Sequence, residues 1–150
     1  MTDRDIVETR VRYRAFDLIA TRWMDNDVFG HVNNVVYHSY IDTAVCNYYM
    51  TAGRVEVTSS LVIPVAAETH CTFKRSIQHP AEIEAGLRAD HIGNRSLRMG
   101  VGLFLKDEHE ARAWGYMHHV FVDRVTNKAV PIPVAIRAAA EAIATPAGAP

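Results

Sequence analysis

Apolar positions recur along this chain with two different periods, and the change from one to the other marks its elements. Residues 16–23 (FDLIATRW) alternate and are rich in β-branched and aromatic side chains, which predicts a short strand. The next stretch, DNDVFGHVNN, is dense in Asp, Asn and Gly, the chemistry of a loop that ends at a helix start. Either Asn33 or Asn34 can cap that helix with its side-chain oxygen. From 35 to 52 there is neither proline nor glycine, and Tyr37, Ile41, Ala44 and Tyr48 fall at helical spacing. Val36, Tyr40, Val45 and Tyr49 widen the apolar arc, so the helix is expected to be buried on most sides, with Gly53 ending it.

Beyond the helix the period is two. Odd positions from Leu61 to Phe73 are mostly apolar while Glu68, His70 and Lys74 lie on the other parity. Ile83, Ala85, Leu87 and Ala89 form a second such face, and Leu97, Met99, Val101, Leu103 and Leu105 a third. Residues 111–124 make a further long strand. Gly93-Asn94 and the charged turn at Lys106-Asp107-Glu108 are hairpin signals. Residues 134–144 read as a short closing helix, residues 1–14 as a loose polar lead-in, and the tail TPAGAP as disordered. Strand, long helix, then meander predicts an α+β domain: one antiparallel sheet of about five strands wrapped around one long central helix. A doubly wound nucleotide-binding sheet is excluded, because it needs alternating helices.

Composition narrows the class further. The 150 residues suit a single domain, and 49% apolar with 22% charged side chains excludes a disordered chain. Sixteen basic against 17 acidic residues give −1, too little positive charge for a dedicated nucleic-acid binder. No apolar run approaches the ~20 residues of a membrane span, and the charged start lacks the apolar stretch of a secretory signal. Cys46 and Cys71 lack metal-ligand spacing and read as thiols of a reducing compartment. The expected setting is cytoplasmic.

Candidate chemistry concentrates between Arg22 and Tyr37. Asp25, Asp27, Gly30, His31, Asn33 and Asn34 crowd the mouth of a mostly apolar helix. The free N–H groups at that helix start suit a developing oxyanion, and a nearby carboxylate can serve as nucleophile or as general base for water. Together these are the requirements of acyl transfer. The plainer alternative is a polar strand-to-helix loop whose Asp and Asn residues act as caps. No metal is expected: HExxH and CxxC are absent, and His31 and His38 would lie roughly 10 Å apart along a helix. Gly-x-Ser-x-Gly is also absent, and Asp42, alone on the helix, reads as a partnered structural acid.

The run Asp25-x-Asp27-x-x-Gly30-His31-Val32-Asn33-Asn34-x-x-Tyr37, leading into a long helix and a meander, resembles the hotdog-fold thioesterases, typified by 4-hydroxybenzoyl-CoA thioesterase and its acyl-CoA relatives. The resemblance covers about residues 14–137. It implies a single hotdog domain that hydrolyses an acyl-CoA thioester without a cofactor, in homodimers or dimers of dimers whose sites lie across the subunit interface. It places the chemistry on Asp27, a supporting role on Asp25, and the carbonyl-holding N–H near Asn34. The typical 4-hydroxybenzoyl-CoA enzyme has Asp-Pro-Ala-Gly and an aromatic stretch here, so an aromatic acyl group does not carry over. Plant-type acyl-carrier-protein thioesterases also use an Asn and a His two and four residues after the Asp; this chain has Phe29 and His31. His31 is thus a candidate to orient water.

Coenzyme A is polyanionic, so a near-neutral protein must gather cations for it. Lys74, Arg75 and Arg95 at strand ends are the candidates for its phosphates, with Gly30, Asn33 and Tyr37 completing the substrate-binding set. The rival from another class is a non-catalytic hotdog module that binds acyl-CoA or an acyl carrier protein.

Overall fold

The computed structural model describes residues 2, 5–56 and 58–146. Strand β1 (Ala15–Ala20) leads through a loop into helix α1 (Asn34–Thr51). Strands β2 (Val62–Phe73), β3 (Glu82–Ile92), β4 (Ser96–Leu105) and β5 (Ala113–Asp123) follow, then helix α2 (Val134–Ala142). The five strands form one sheet in the order β1-β3-β4-β5-β2, every neighbouring pair antiparallel. This is the α+β architecture expected from the alternation of the sequence, and the hotdog domain that the resemblance implies. Among the described residues, no helix is long and apolar enough to cross a membrane. Most of the expected tail, residues 147–150, lies outside the described residues.

The core lies between α1 and one side of the sheet. Tyr37, Ile41, Ala44 and Val45 of the helix pack on Ala85 and Leu87 of β3, Met99 and Val101 of β4, and Met117 and Phe121 of β5. Burying side chains of this size contributes on the order of 1.5–3 kcal/mol each for the larger ones. Helix α2 closes one flank with Ile136, and its Ala139 carbonyl accepts from the Tyr48 hydroxyl at 2.7 Å. At the end of α1, Gly53 permits close approach to the Tyr49 carbonyl, while Arg54 takes the left-handed conformation, φ 53°.

Three expectations are corrected. First, α1 is not buried on most sides: Val35, Asp42, Thr43 and Met50 form an exposed flank. Second, β2 does not keep one parity inward. Ala67 is an extra residue between the pairs Ala66–His119 and Glu68–His118, a bulge that exchanges the two faces. Pro64 opposes the buried Phe121 before the bulge, and Thr69 opposes the buried Met117 after it. Hence Val65, an expected core residue, pairs with Val120 on the other face and is exposed.

Third, the lead-in is not loose over its described residues 5–14, which cover the side of the sheet away from α1. Tyr13 lies across Gly86 and Gly102, where a Cβ would meet its ring at 2.8 and 2.6 Å. It joins Phe104, Ala111 and Trp114 in a second apolar cluster. Buried Glu8 pairs with Arg88 at 2.8 Å and accepts from the Tyr13 hydroxyl. Trp114 on this side of β5 is thereby buried within one chain.

Candidate active site

The loop from Thr21 to Asn33 crosses from β1 to the mouth of α1 and separates its two carboxylates. A short 3-10 turn, Trp23–Asp25, drops Asp25 beneath the loop, where it is fully buried. Its Oδ2 accepts from the Tyr40 hydroxyl at 2.6 Å and the Arg22 N–H at 2.8 Å, and its Oδ1 from Arg22 Nε at 3.0 Å. Burial works against its charge, but these donors and the Arg22 guanidinium prevail and hold the carboxyl below the usual carboxylate range. Asp25 is therefore a structural anion of the loop, out of reach of a substrate.

Asp27 stands on the outer side, half-buried. Its Oδ1 accepts from the Phe29 N–H at 2.9 Å and its Oδ2 from the Asn33 amide at 3.2 Å. The backbone folds tightly around it: Asp27 N–H donates to the His31 carbonyl and Gly30 N–H to the Asp27 carbonyl. Gly30 has φ +85°, a conformation that strains any side chain, and nothing lies within 4 Å of a Cβ built there. Glycine serves the turn at this position.

Of the two asparagines that qualified as caps, Asn33 is the one that acts. Its Oδ1 accepts from the Val35 N–H at 3.0 Å, while its amide holds Asp27. One side chain thus ties the carboxylate to the positive end of the helix dipole. Asn34, the first helical residue, has an N–H that lacks an intrahelical partner by helix geometry. Among the described residues, none of the hydrogen bonds engages it. His31 is exposed and contributes only its carbonyl to the described hydrogen bonds.

Beside this mouth is a cavity of about 270 Å³ lined by Val32, Asn34, Tyr37, Phe73, Lys74, Arg75 and Ser76. Tyr37 and Phe73 meet edge to face, ring centres 5.1 Å apart. The Tyr37 hydroxyl accepts from the Ile77 N–H at 2.9 Å and Val32 N–H donates to the Ile77 carbonyl, so the segment after β2 braces the site. Asn26 extends the brace by accepting from the His79 N–H at 3.0 Å. Arg75 lies 3.6 Å from Glu108, which Arg112 also holds at 2.5 Å. Hydrogen bonding from Arg112 outweighs burial and lowers the Glu108 carboxyl.

Four of the expected substrate and site residues, Asn34, Tyr37, Lys74 and Arg75, thus line one cavity, with Asp27 and Asn33 at the helix start that forms its edge. Arg95 is not with them. Its carbonyl accepts from the Phe121 N–H, and Phe121 packs on Tyr49 in the last turns of α1. That is roughly 22 Å along the helix from Asn34. Sequence reading had no signal for Tyr40 or Ile77, whose roles arise from contacts far apart in the chain. Among the described residues, no group of three or more His, Cys, Asp or Glu is placed to hold a metal ion.

Comparisons with known proteins bear on the fold and the family. A protein of Pseudomonas aeruginosa strain PAO1, PA5185, has a crystal structure that superposes with a TM-score of 0.92 at 38% identity, covering 95% of this chain and 99% of that one. Slr0204 of Synechocystis, a 1,4-dihydroxy-2-naphthoyl-CoA thioesterase, shares the fold at a TM-score of 0.72 and 12% identity, covering 83% and 93%. YsmA of Bacillus subtilis (strain 168) is 22% identical over 97 residues, a match spanning 65% of each chain. Residues 21–140, well over half of the sequence, match the family model of the thioesterase-like superfamily, and the chain belongs to that superfamily.

Proposed function

We propose that this protein hydrolyses an acyl-CoA thioester to a carboxylic acid and coenzyme A, with Asp27 as the reacting carboxylate. The observation that carries the reading is the Asn33 amide on Asp27: it fixes a carboxylate against a helix start whose first N–H is unused, at the edge of a cavity flanked by cations. The thioester carbonyl oxygen takes the Asn34 N–H, which strengthens its hold as negative charge develops on that oxygen. Asp27 either removes a proton from the attacking water or attacks the carbonyl carbon itself to give an anhydride that water then opens. Both routes expel the coenzyme A thiolate and finish with the same acid. Lys74 and Arg75 attract the phosphates of the leaving group. That a neighbour of the same fold is named as a thioesterase of a CoA thioester supports this choice of substrate class.

The active unit in this reading is a homodimer or a dimer of dimers. Strand β2 is a sheet edge whose residues 65–69 are exposed, beside the uncovered flank of α1. A second copy laid there covers both and shields the helix mouth from bulk water. The deciding experiment is release of free thiol from a panel of acyl-CoA thioesters by the purified protein. Turnover on at least one supports the reading. Saturable binding without thiol release would make the chain a binding module instead.

A further inference from the structure

Beneath the loop lies a buried pair that the chemistry above leaves unused. Tyr40, in the second turn of α1, is buried and its hydroxyl donates a hydrogen bond to the fully buried Asp25 at 2.6 Å. Arg22 holds the same carboxylate from the other side through its backbone N–H and its guanidinium. The Asp25 backbone carbonyl, in turn, accepts from the Asn33 N–H at 2.9 Å. Asn33 then reaches Asp27 with its side-chain amide at 3.2 Å. Four residues are thereby joined in order, from the middle of the helix face to the reacting carboxylate.

We propose that Tyr40 is a positioning residue for hydrolysis, acting through Asp25 and Asn33 on the orientation of Asp27; this rests on the assignment of Asp27 above. The argument is one of constraint. Of the apolar side chains in the loop, Val32 at its end enters the core, while Trp23, Met24, Val28 and Phe29 are exposed. Asp25 has no exposed surface, and the hydrogen bond from Tyr40 to its carboxylate ties the first half of the loop to α1. Because the Asn33 N–H is tied to the Asp25 carbonyl, a shift of Asp25 turns the asparagine that caps the helix. The Asn33 amide then leaves Asp27, whose carboxylate is free to rotate away from the Asn34 N–H. Tyr40 itself touches neither substrate nor reacting atoms.

The test is Tyr40→Phe, which removes one oxygen and keeps the packed ring, measured beside Asp27→Asn and Asn33→Asp. Tyr40→Phe is expected to lower kcat about tenfold or more while KM stays within about twofold, as a misplaced reacting group does. Its effect should vanish when added to Asn33→Asp, because that variant already lacks the amide that transmits it. A structural role alone would lower the fraction of folded enzyme and leave kcat per folded molecule, and its combination with Asn33→Asp, additive. Unchanged kcat, or full additivity, overturns the proposal. If Tyr40→Phe does not fold, Asp25→Asn, which replaces the charged acceptor of the Tyr40 hydroxyl with a neutral one and so weakens that bond, is judged by the same two criteria. Should Asp27→Asn retain full activity, the assignment of Asp27 fails; an inactive Asp27→Asn with a fully active Tyr40→Phe sinks only the relay.

Discussion

Asn33 holds two partners at once: its Oδ1 accepts from the Val35 N–H at 3.0 Å and its amide NH2 donates a hydrogen bond to Asp27 at 3.2 Å. Capping of the helix and the hold on Asp27 are therefore carried by the two halves of one side chain. Substituting Asn33→Asp separates them. Aspartate caps as well as asparagine, so stability should change by less than about 0.5 kcal/mol. The donor facing Asp27 is lost and a second negative charge replaces it, so kcat should fall about tenfold or more. Thermal unfolding and thiol release on the same preparation check both halves.

Phosphate recognition is tested by contrast between two ends of the molecule. Lys74→Ala and Arg75→Ala, at the cavity beside the helix mouth, should raise KM for acyl-CoA and spare kcat. The same thioesters on a truncated pantetheine arm should be little affected. Arg95, at the other end of α1, should change nothing unless an adjoining subunit brings it to the site. Equal losses on both substrate types would indicate damage to the fold.

Stability should depend on pH through His119. This imidazole is buried on β5 beside Tyr49, whose hydroxyl lies 3.1 Å from Nδ1. Burial pushes its pKa from 6.5 down to about 4, with His118 adding to that and Asp42 opposing it. The unfolded chain then binds the proton more readily than the folded one, so the contribution is fully present above pH 6.5 and is lost as pH falls towards 4. The loss is on the order of 3 kcal/mol across that interval. Chemical denaturation between pH 4 and 7 should show the slope, and His119→Gln should flatten it.

Much of the fold was legible because period and burial agree. The inward sets on β3 and β4, from Ile83 to Ala89 and from Leu97 to Leu103, are buried as their alternation implies. The site loop was legible because few side chains besides Asn suit a cap, and Gly30 suits the turn. What alternation cannot show is an inserted residue such as Ala67, which leaves composition unchanged and exchanges the faces of β2. Nor can it show Tyr13 lying over Gly86 and Gly102, since that pairing spans the chain and glycine in a strand has several explanations. Residue type and spacing alone do not separate Asp25 from Asp27, to which only the resemblance gives different roles; the Tyr40 contact identifies the buried anion.

Glycine at position 115 is a sharper test of the packing. A Cβ there would lie 1.8 Å from the His70 carbonyl oxygen, a backbone atom of the paired strand β2 that cannot turn aside. Gly115→Ala must push β2 away from β5, at a cost of about 3 kcal/mol or more. A large fall in unfolding temperature is expected. A variant as stable as the wild type would contradict the registered pairing of these strands.

The central claim is that Asp27 performs the chemistry, and thiol release by Asp27→Asn measures it most directly. The substitution keeps the size of the side chain and an oxygen for the Phe29 N–H, losing at most the bond from the Asn33 amide, so the fold should persist with a cooperative unfolding transition. On an acyl-CoA that the wild type hydrolyses, kcat should fall about a thousandfold with KM little changed. An equally folded Asp27→Asn protein that releases coenzyme A at the wild-type rate would contradict the account.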